Sequence, residues 1–148
     1  MRVGLSGFMR VLVTGPESSG TSLVSRIFRA AGAQVEHRSA TFKDDQPNIV
    51  LVADSCDVVI VVYRNPMATM KSQMAQGLSI ADARRKLVDG YHEIARMFTY
   101  ATVPFWCVTY ESLVLDPDSI RPLLALLHLS HDIDIEPVRD ENAKYVAQ

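Results

Sequence analysis

Apolar residues fall along this chain in two patterns. In short runs rich in β-branched residues, Arg10–Thr14 and Asp57–Tyr63, successive positions are apolar; in longer stretches between them apolar residues recur every three or four positions. The first pattern suits a strand covered on both faces, the second a helix with one buried face. The pattern predicts a strand over Arg10–Thr14, interrupted by Gly15-Pro16, and a helix from Thr21 that buries Leu23, Val24, Ile27, Phe28 and Ala31 and stops at Gly32. A second strand follows at Gln34–His37, and the polar stretch Arg38–Asn48 reads as loop. The run VVIVVY within Asp57–Tyr63 marks a central strand, ended by Arg64-Asn65-Pro66, with Pro66 opening a helix to about Gln76. After Gly77, Ser79 with Asp82 three residues on resembles a capping box. It introduces the longest helix, with Ile80, Leu87, Ile94 and Ala101 in phase and Tyr91 and Phe98 beside them. Pro104 leads into a further buried strand, Phe105–Thr109, and Asp116-Pro117-Asp118 opens a last helix burying Ile120, Leu123, Leu124 and Leu127. The tail from Ser130 is polar and loosely patterned.

Strands alternating with helices predict an α/β fold with a central parallel sheet in three α/β/α layers. A length of 148 residues, without an internal repeat or linker, makes residues 1–148 one domain, and 48% hydrophobic content supplies its core. Fifteen basic against seventeen acidic residues leave a net charge of −2, so neither nucleic acid nor an anionic membrane is an expected partner. Any anion site must be local. Cys56 and Cys107 have no metal-binding or redox spacing, which favours a reducing compartment. The opening MRVGLSGFMRVLV is too interrupted for a signal peptide, and no apolar run approaches the roughly 18–20 residues of a membrane span. A cytoplasmic location is expected, and a homo-oligomer is compatible with the sequence.

Chemistry concentrates between the first strand and first helix. Gly15-Pro16-Glu17-Ser18-Ser19-Gly20-Thr21-Ser22 has the strand, loop and helix context of a phosphate-binding P-loop. Its glycines let backbone N–H groups turn inward, the hydroxyls of Ser19, Thr21 and Ser22 add donors, and the helix N-terminus adds partial positive charge. Gly15, Ser18, Ser19, Gly20, Thr21 and Ser22 are therefore the candidate anion-binding residues. Against the nucleoside-triphosphatase pattern GxxxxGK[ST], Thr21 stands at the lysine position, and the central strand ends in Arg64 rather than a magnesium-holding acid. ATP hydrolysis is disfavoured.

Three separated motifs resemble the sulfotransferase family, which uses 3′-phosphoadenosine 5′-phosphosulfate (PAPS) on a P-loop-like fold. VLVTGPESSGTSLVSRIF is similar to the family's 5′-phosphosulfate loop, with PxxSGT in place of the commoner PxSGT. In VIVVYRNPMATMKS, Arg64 and Ser72 have the spacing of the family's 3′-phosphate pair. VTYESLVLDPDSIRPLLALL resembles the downstream segment, with Ser112 replacing its Asp. The similarity covers roughly residues 10–129 and implies a sulfotransferase-like topology, with Arg64 and Ser72 binding the cofactor. Arg64 offers a planar, permanently charged fork, and Tyr110 and Glu111 orient the loop. The family places Lys or Arg just before Ser-Gly-Thr, whereas this chain has Ser18, and its C-terminal nucleotide-covering motif finds no match. Lys43, Lys71 or Arg38 are candidates to supply the cation.

Sulfuryl transfer needs a base for the acceptor's proton, donors for the moving sulfuryl oxygens and stabilisation of the leaving phosphate; no metal is expected. His37, just beyond the second strand, is the candidate base because imidazole works near neutral pH, and Glu17 is its rival. His128, His131, Asp132 and Asp134 match no compelling metal spacing, Asp44-Asp45 reads as a loop pair, and Arg84-Arg85-Lys86 as a solvated face, with attraction of an anionic acceptor as its alternative. Tyr91, Met97 and Phe98 fit core better than an acceptor pocket. The leading expectation is a PAPS-dependent sulfotransferase acting on a hydroxyl or amine of an unknown acceptor. The alternatives are a non-catalytic nucleotide- or phosphate-binding module of the same fold and, less favoured, a P-loop nucleotide kinase.

Overall fold

The computed structural model describes residues 8–41 and 46–142. Lys43 and the Asp44-Asp45 pair lie outside the described residues, as does most of the segment read against a signal peptide. Four strands, β1 (Arg10–Gly15), β2 (Gln34–Ser39), β3 (Val58–Tyr63) and β4 (Phe105–Thr109), form one parallel sheet in the order β2-β1-β3-β4. The helices are α1 (Thr21–Ala30), α2 (Ile49–Asp54), α3 (Pro66–Ala75), α4 (Ile80–Tyr100), α5 (Tyr110–Leu115) and α6 (Arg121–Leu126), with a 3₁₀ turn over Pro117–Ile120.

The two inner strands are apolar throughout because both their faces are covered. Val11, Val13, Val58, Ile60 and Val62 face a core shared with α1, α5 and α6, where Phe28 and Leu124 are fully buried. Leu12, Val59 and Val61 face the opposite core, built with Ile49 and Ala53 of α2 and Ile94 and Met97 of α4. The chain is thus α/β, with helices over both faces of a parallel sheet, as the alternation predicts.

Local signals set most boundaries. Gly32 ends α1 at φ +96°, with Gly32 N–H donating to Arg29 O and Ala33 N–H to Phe28 O, a Schellman pairing that satisfies the last carbonyls. Asn65 caps α3 by accepting from the N–H groups of Met67 and Ala68, Ser79 caps α4 through Asp82 N–H, and Asp116 caps the 3₁₀ turn through Asp118 N–H.

Expectations about four segments of the fold need correction. β2 continues past His37 to Ser39, because its backbone pairs with β1 through Gly15. The segment expected to be one final helix is a 3₁₀ turn followed by α6. β4 is an edge strand rather than a buried one: only Val108 is buried, while Trp106 and Cys107 are exposed, since β3 covers one side of it and no described strand the other. The tail is polar in composition but docked: Leu129, Ile133, Ile135 and Val138 pack on the α1 side of the core, and Arg121 donates to the carbonyls of His131 and Ile133.

Candidate functional site

Parallel strands bring their C-terminal ends to one edge, where ligand crevices of open α/β sheets form. Here β1, β3 and β4 end on the Gly15–Ser22 loop, Arg64 and Tyr110 respectively, and β2 carries His37 near its end. The chain passes from β1 outward to β2 and then crosses to β3 on the other side of β1, so the loop stands where the winding reverses.

The loop's path leaves no room for side chains at its two glycines. A Cβ on Gly15 would lie 2.2 Å from Val62 O, and Gly20 has φ +98° with the Tyr110 ring 3.0 Å from where its Cβ would be. Ser18 also takes a left-handed conformation, φ 67°, which a non-glycine residue holds only when its surroundings fix it. Ser19 N–H closes the turn on Pro16 O at 3.1 Å. Gln73 Nε2 donates to Glu17 O at 2.9 Å, and Arg64 Nη1 to Ser18 O at 3.1 Å. A carbonyl held from outside turns the N–H of the same trans peptide to the opposite side, so the Gln73 bond orients the Ser18 amide away from α3. The N-terminus of α1 has no side-chain cap, and its first-turn N–H groups have no acceptor within the helix. Ser19 Oγ and Thr14 Oγ1 are fully buried beside the turn without a hydrogen-bond partner. Ser22 is exposed on the first turn of α1.

On one flank of the loop the side chains are partly open to solvent. His37 Nε2 lies 2.9 Å from Oγ1 of Thr21, the residue at the lysine position of a triphosphatase loop. His37 sits within β2, opposite Val13, not beyond the strand as the sequence suggests. Partial burial holds its imidazole pKa below the usual 6.5, and the Arg29 cation lowers it further, so the ring is neutral at physiological pH. Glu17 Oε2 pairs with Lys86 Nζ at 2.6 Å. A cavity of about 280 Å³ is lined by Glu17, His37, Arg38, Ser39, Thr41 and Gln46, so both candidate bases border one space. Lys86 is therefore not part of a simple solvated face, whereas Arg84 and Arg85 are exposed.

The opposite flank is buried. Arg64 is 9% exposed; besides Ser18 O, its Nε donates to Asn142 Oδ1 at 2.6 Å, and its guanidinium lies 4.8 Å from the centre of the Tyr110 ring. Tyr110 Oη donates to Arg139 O at 2.6 Å and accepts from Glu141 N–H at 3.1 Å. Glu111 Oε1 accepts from Asn65 N–H and from Asn142 Nδ2. Tyr110 and Glu111 thus tie the loop, the β3 end and the tail together. Ser72 is half-buried on α3, one residue before the buried Gln73 that reaches the loop.

No motif singles out Gln73, Gly90 or Asn142, and Lys86 stands out in the sequence only as part of the Arg84-Arg85-Lys86 run. A Cβ on Gly90 would lie 2.8 Å from Ala40 O and 3.5 Å from Pro16 Cα, so the glycine lets α4 approach the loop backbone; an isolated glycine inside a helical pattern was the available signal. Nothing local marks Asn142. Met97 belongs to the core and Tyr91 packs against it beside Tyr63, whereas Phe98, expected in the core, is exposed and stacks edge-on against Phe105 at 4.8 Å. Among the described residues no three His, Cys, Asp or Glu side chains gather as a metal site, and no helix is long and apolar enough to cross a membrane. No protein-family model matches the chain, and no curated protein matches its sequence.

Proposed function

We propose that this chain is a small PAPS-dependent sulfotransferase with P-loop-like topology, moving a sulfuryl group to a hydroxyl or amine. The observation that carries the reading is the Gly15–Ser22 loop, sterically closed to side chains at Gly15 and Gly20, on the uncapped N-terminus of α1. The buried, unpartnered Ser19 Oγ beside it supports the fit to an anion, since such a hydroxyl costs about 1–3 kcal/mol when left unsatisfied.

The loop's amides and hydroxyls would hold the 5′-phosphosulfate, and Arg64 with Ser72 the 3′-phosphate. PAPS supplies the activated sulfuryl group. His37 takes the acceptor's proton at Nε2, the atom that faces the loop through Thr21, so the acceptor's hydroxyl or amine replaces the Thr21 hydroxyl as its partner. Its lowered pKa keeps it unprotonated and ready. Glu17 borders the same cavity, but its carboxylate is already paired with Lys86. Ser18, where a cation would assist the leaving group, favours a second reading, a non-catalytic nucleotide-binding module on this fold.

Thermal shift with adenosine 3′,5′-bisphosphate (PAP), ADP and ATP, with and without magnesium, tests the assignment, because stabilisation follows affinity. PAP preference lost in Arg64→Ala, together with PAPS consumption by an acceptor library, is the expected result. Magnesium-dependent ATP preference would overturn it in favour of a kinase. PAP binding without PAPS turnover would select the binding module.

A further inference from the structure

The Gly15–Ser22 loop contains no cationic residue. α4 brings one to it. Lys86 and Gly90 are four residues apart and share a helix face, and at Gly90 the missing side chain lets α4 pack against Pro16 and Ala40. That approach places Lys86 Nζ 2.6 Å from the Glu17 carboxylate, within the loop itself. Arg84 and Arg85 of the same basic run are exposed, and Arg85 pairs with Asp82 on its own helix.

We propose that Lys86 is the loop's anion-binding cation, kept at the site by Glu17 and transferred to the bound phosphate or sulfate group when a ligand enters. This deepens the reading above and rests on its anion loop. Both partners are only partly buried, so solvent competes with the resting pair and it is easily exchanged. A multiply charged phosphate oxygen is a stronger acceptor for an ammonium group than a solvated carboxylate, so the exchange runs toward the ligand. The lysine's flexible stem and compact charge permit the movement. Glu17 then becomes a competitor of the ligand, holding the cation at the site between binding events.

That competition gives the test its sign. Binding of inorganic pyrophosphate and of PAP is measured by calorimetry on the full chain at low and high salt, for wild type, Lys86→Gln, Lys86→Arg and Glu17→Gln. Lys86→Gln is expected to weaken both ligands by about tenfold or more and to flatten the salt dependence, with Lys86→Arg largely restoring both. Glu17→Gln is expected to tighten binding severalfold, since it frees the lysine and removes a negative charge. If the pair only braces the loop, Lys86→Gln and Glu17→Gln shift affinity the same way, and the proposal fails; unchanged affinity in Lys86→Gln also defeats it. Thermal unfolding of each variant confirms that the fold survives. Pyrophosphate binding that depends on Lys86, with no binding of PAP, would overturn the PAPS reading but leave the cation in place. Binding of neither ligand by wild type would overturn both.

Discussion

The two flanks of the Gly15–Ser22 loop differ in how firmly their polar groups are held. On the β3 flank, Arg64, Gln73, Tyr110, Glu111 and Asn142 form bonds with the loop backbone, with the turn after β3, or with one another, much of it shielded from water. On the β2 flank, Glu17, Lys86 and His37 are partly exposed and joined by two contacts, Glu17 with Lys86 and His37 with Thr21. Burial makes each bond on the first flank costly to break, whereas solvent competes with the pairings on the second. The first flank sets the shape of the loop and, in the proposed reading, presents Arg64 already fixed in place. The second has pairings that a ligand can displace.

Breaking the rigid part should have the largest effect. Gly15→Ala drives a Cβ into Val62 O and is expected to destabilise the fold by about 3 kcal/mol or more, read as a lowered urea midpoint. Arg64→Ala strands the acceptors at Ser18 O and Asn142 Oδ1 and is expected to cost about 2–3 kcal/mol, with loss of any PAP preference. Asn142→Ala removes a neutral bridge between Arg64 and Glu111, and about 1–2 kcal/mol is expected from the same unfolding measurement. Lys86→Gln, on the exchangeable flank, should change stability by less than about 1 kcal/mol while weakening ligand binding.

A pH series sharpens the contrast through His37. Its folded-state pKa lies below the unfolded value of 6.5, so the unfolded chain takes up the proton first as pH falls. Its contribution is to destabilise the fold below about pH 6.5 and to leave stability unaffected above it. Under the proposed function, with His37 as the base, PAPS turnover should also show an acid limb below 6.5. His37→Asn should lessen the acid loss of stability in unfolding curves, and turnover by that variant at the wild-type rate would remove His37 from the base role.

Much of the architecture is legible locally. Apolar runs of β1 and β3, the Gly32 stop, the Asn65-Pro66 start and the Ser79 cap each act within a few residues, and the structure places them as read. β4 misled because Phe105–Thr109 is as apolar as an inner strand, and only its position at the sheet edge exposes Trp106 and Cys107. The six apolar-rich residues of α2 do not separate helix from strand by period, and Asn48 Oδ1, capping Val50 N–H, supplies the local bond that favours helix.

The sequence by itself determined the strands and the longer helices, the turn at Gly15 and Gly20 and the loop's store of amides and hydroxyls, because bond geometry and side-chain period act over short stretches of chain. Tertiary structure decided which distant groups meet there: His37 on Thr21, Lys86 on Glu17, Gln73 and Arg64 under the loop carbonyls, Asn142 on Arg64. Those meetings depend on strand order and on how closely α4 and the tail pack. Residues separated by 16 to 78 positions become neighbours only when the parallel crossovers bring the strand ends together at one edge and the hydrophobic faces close around them.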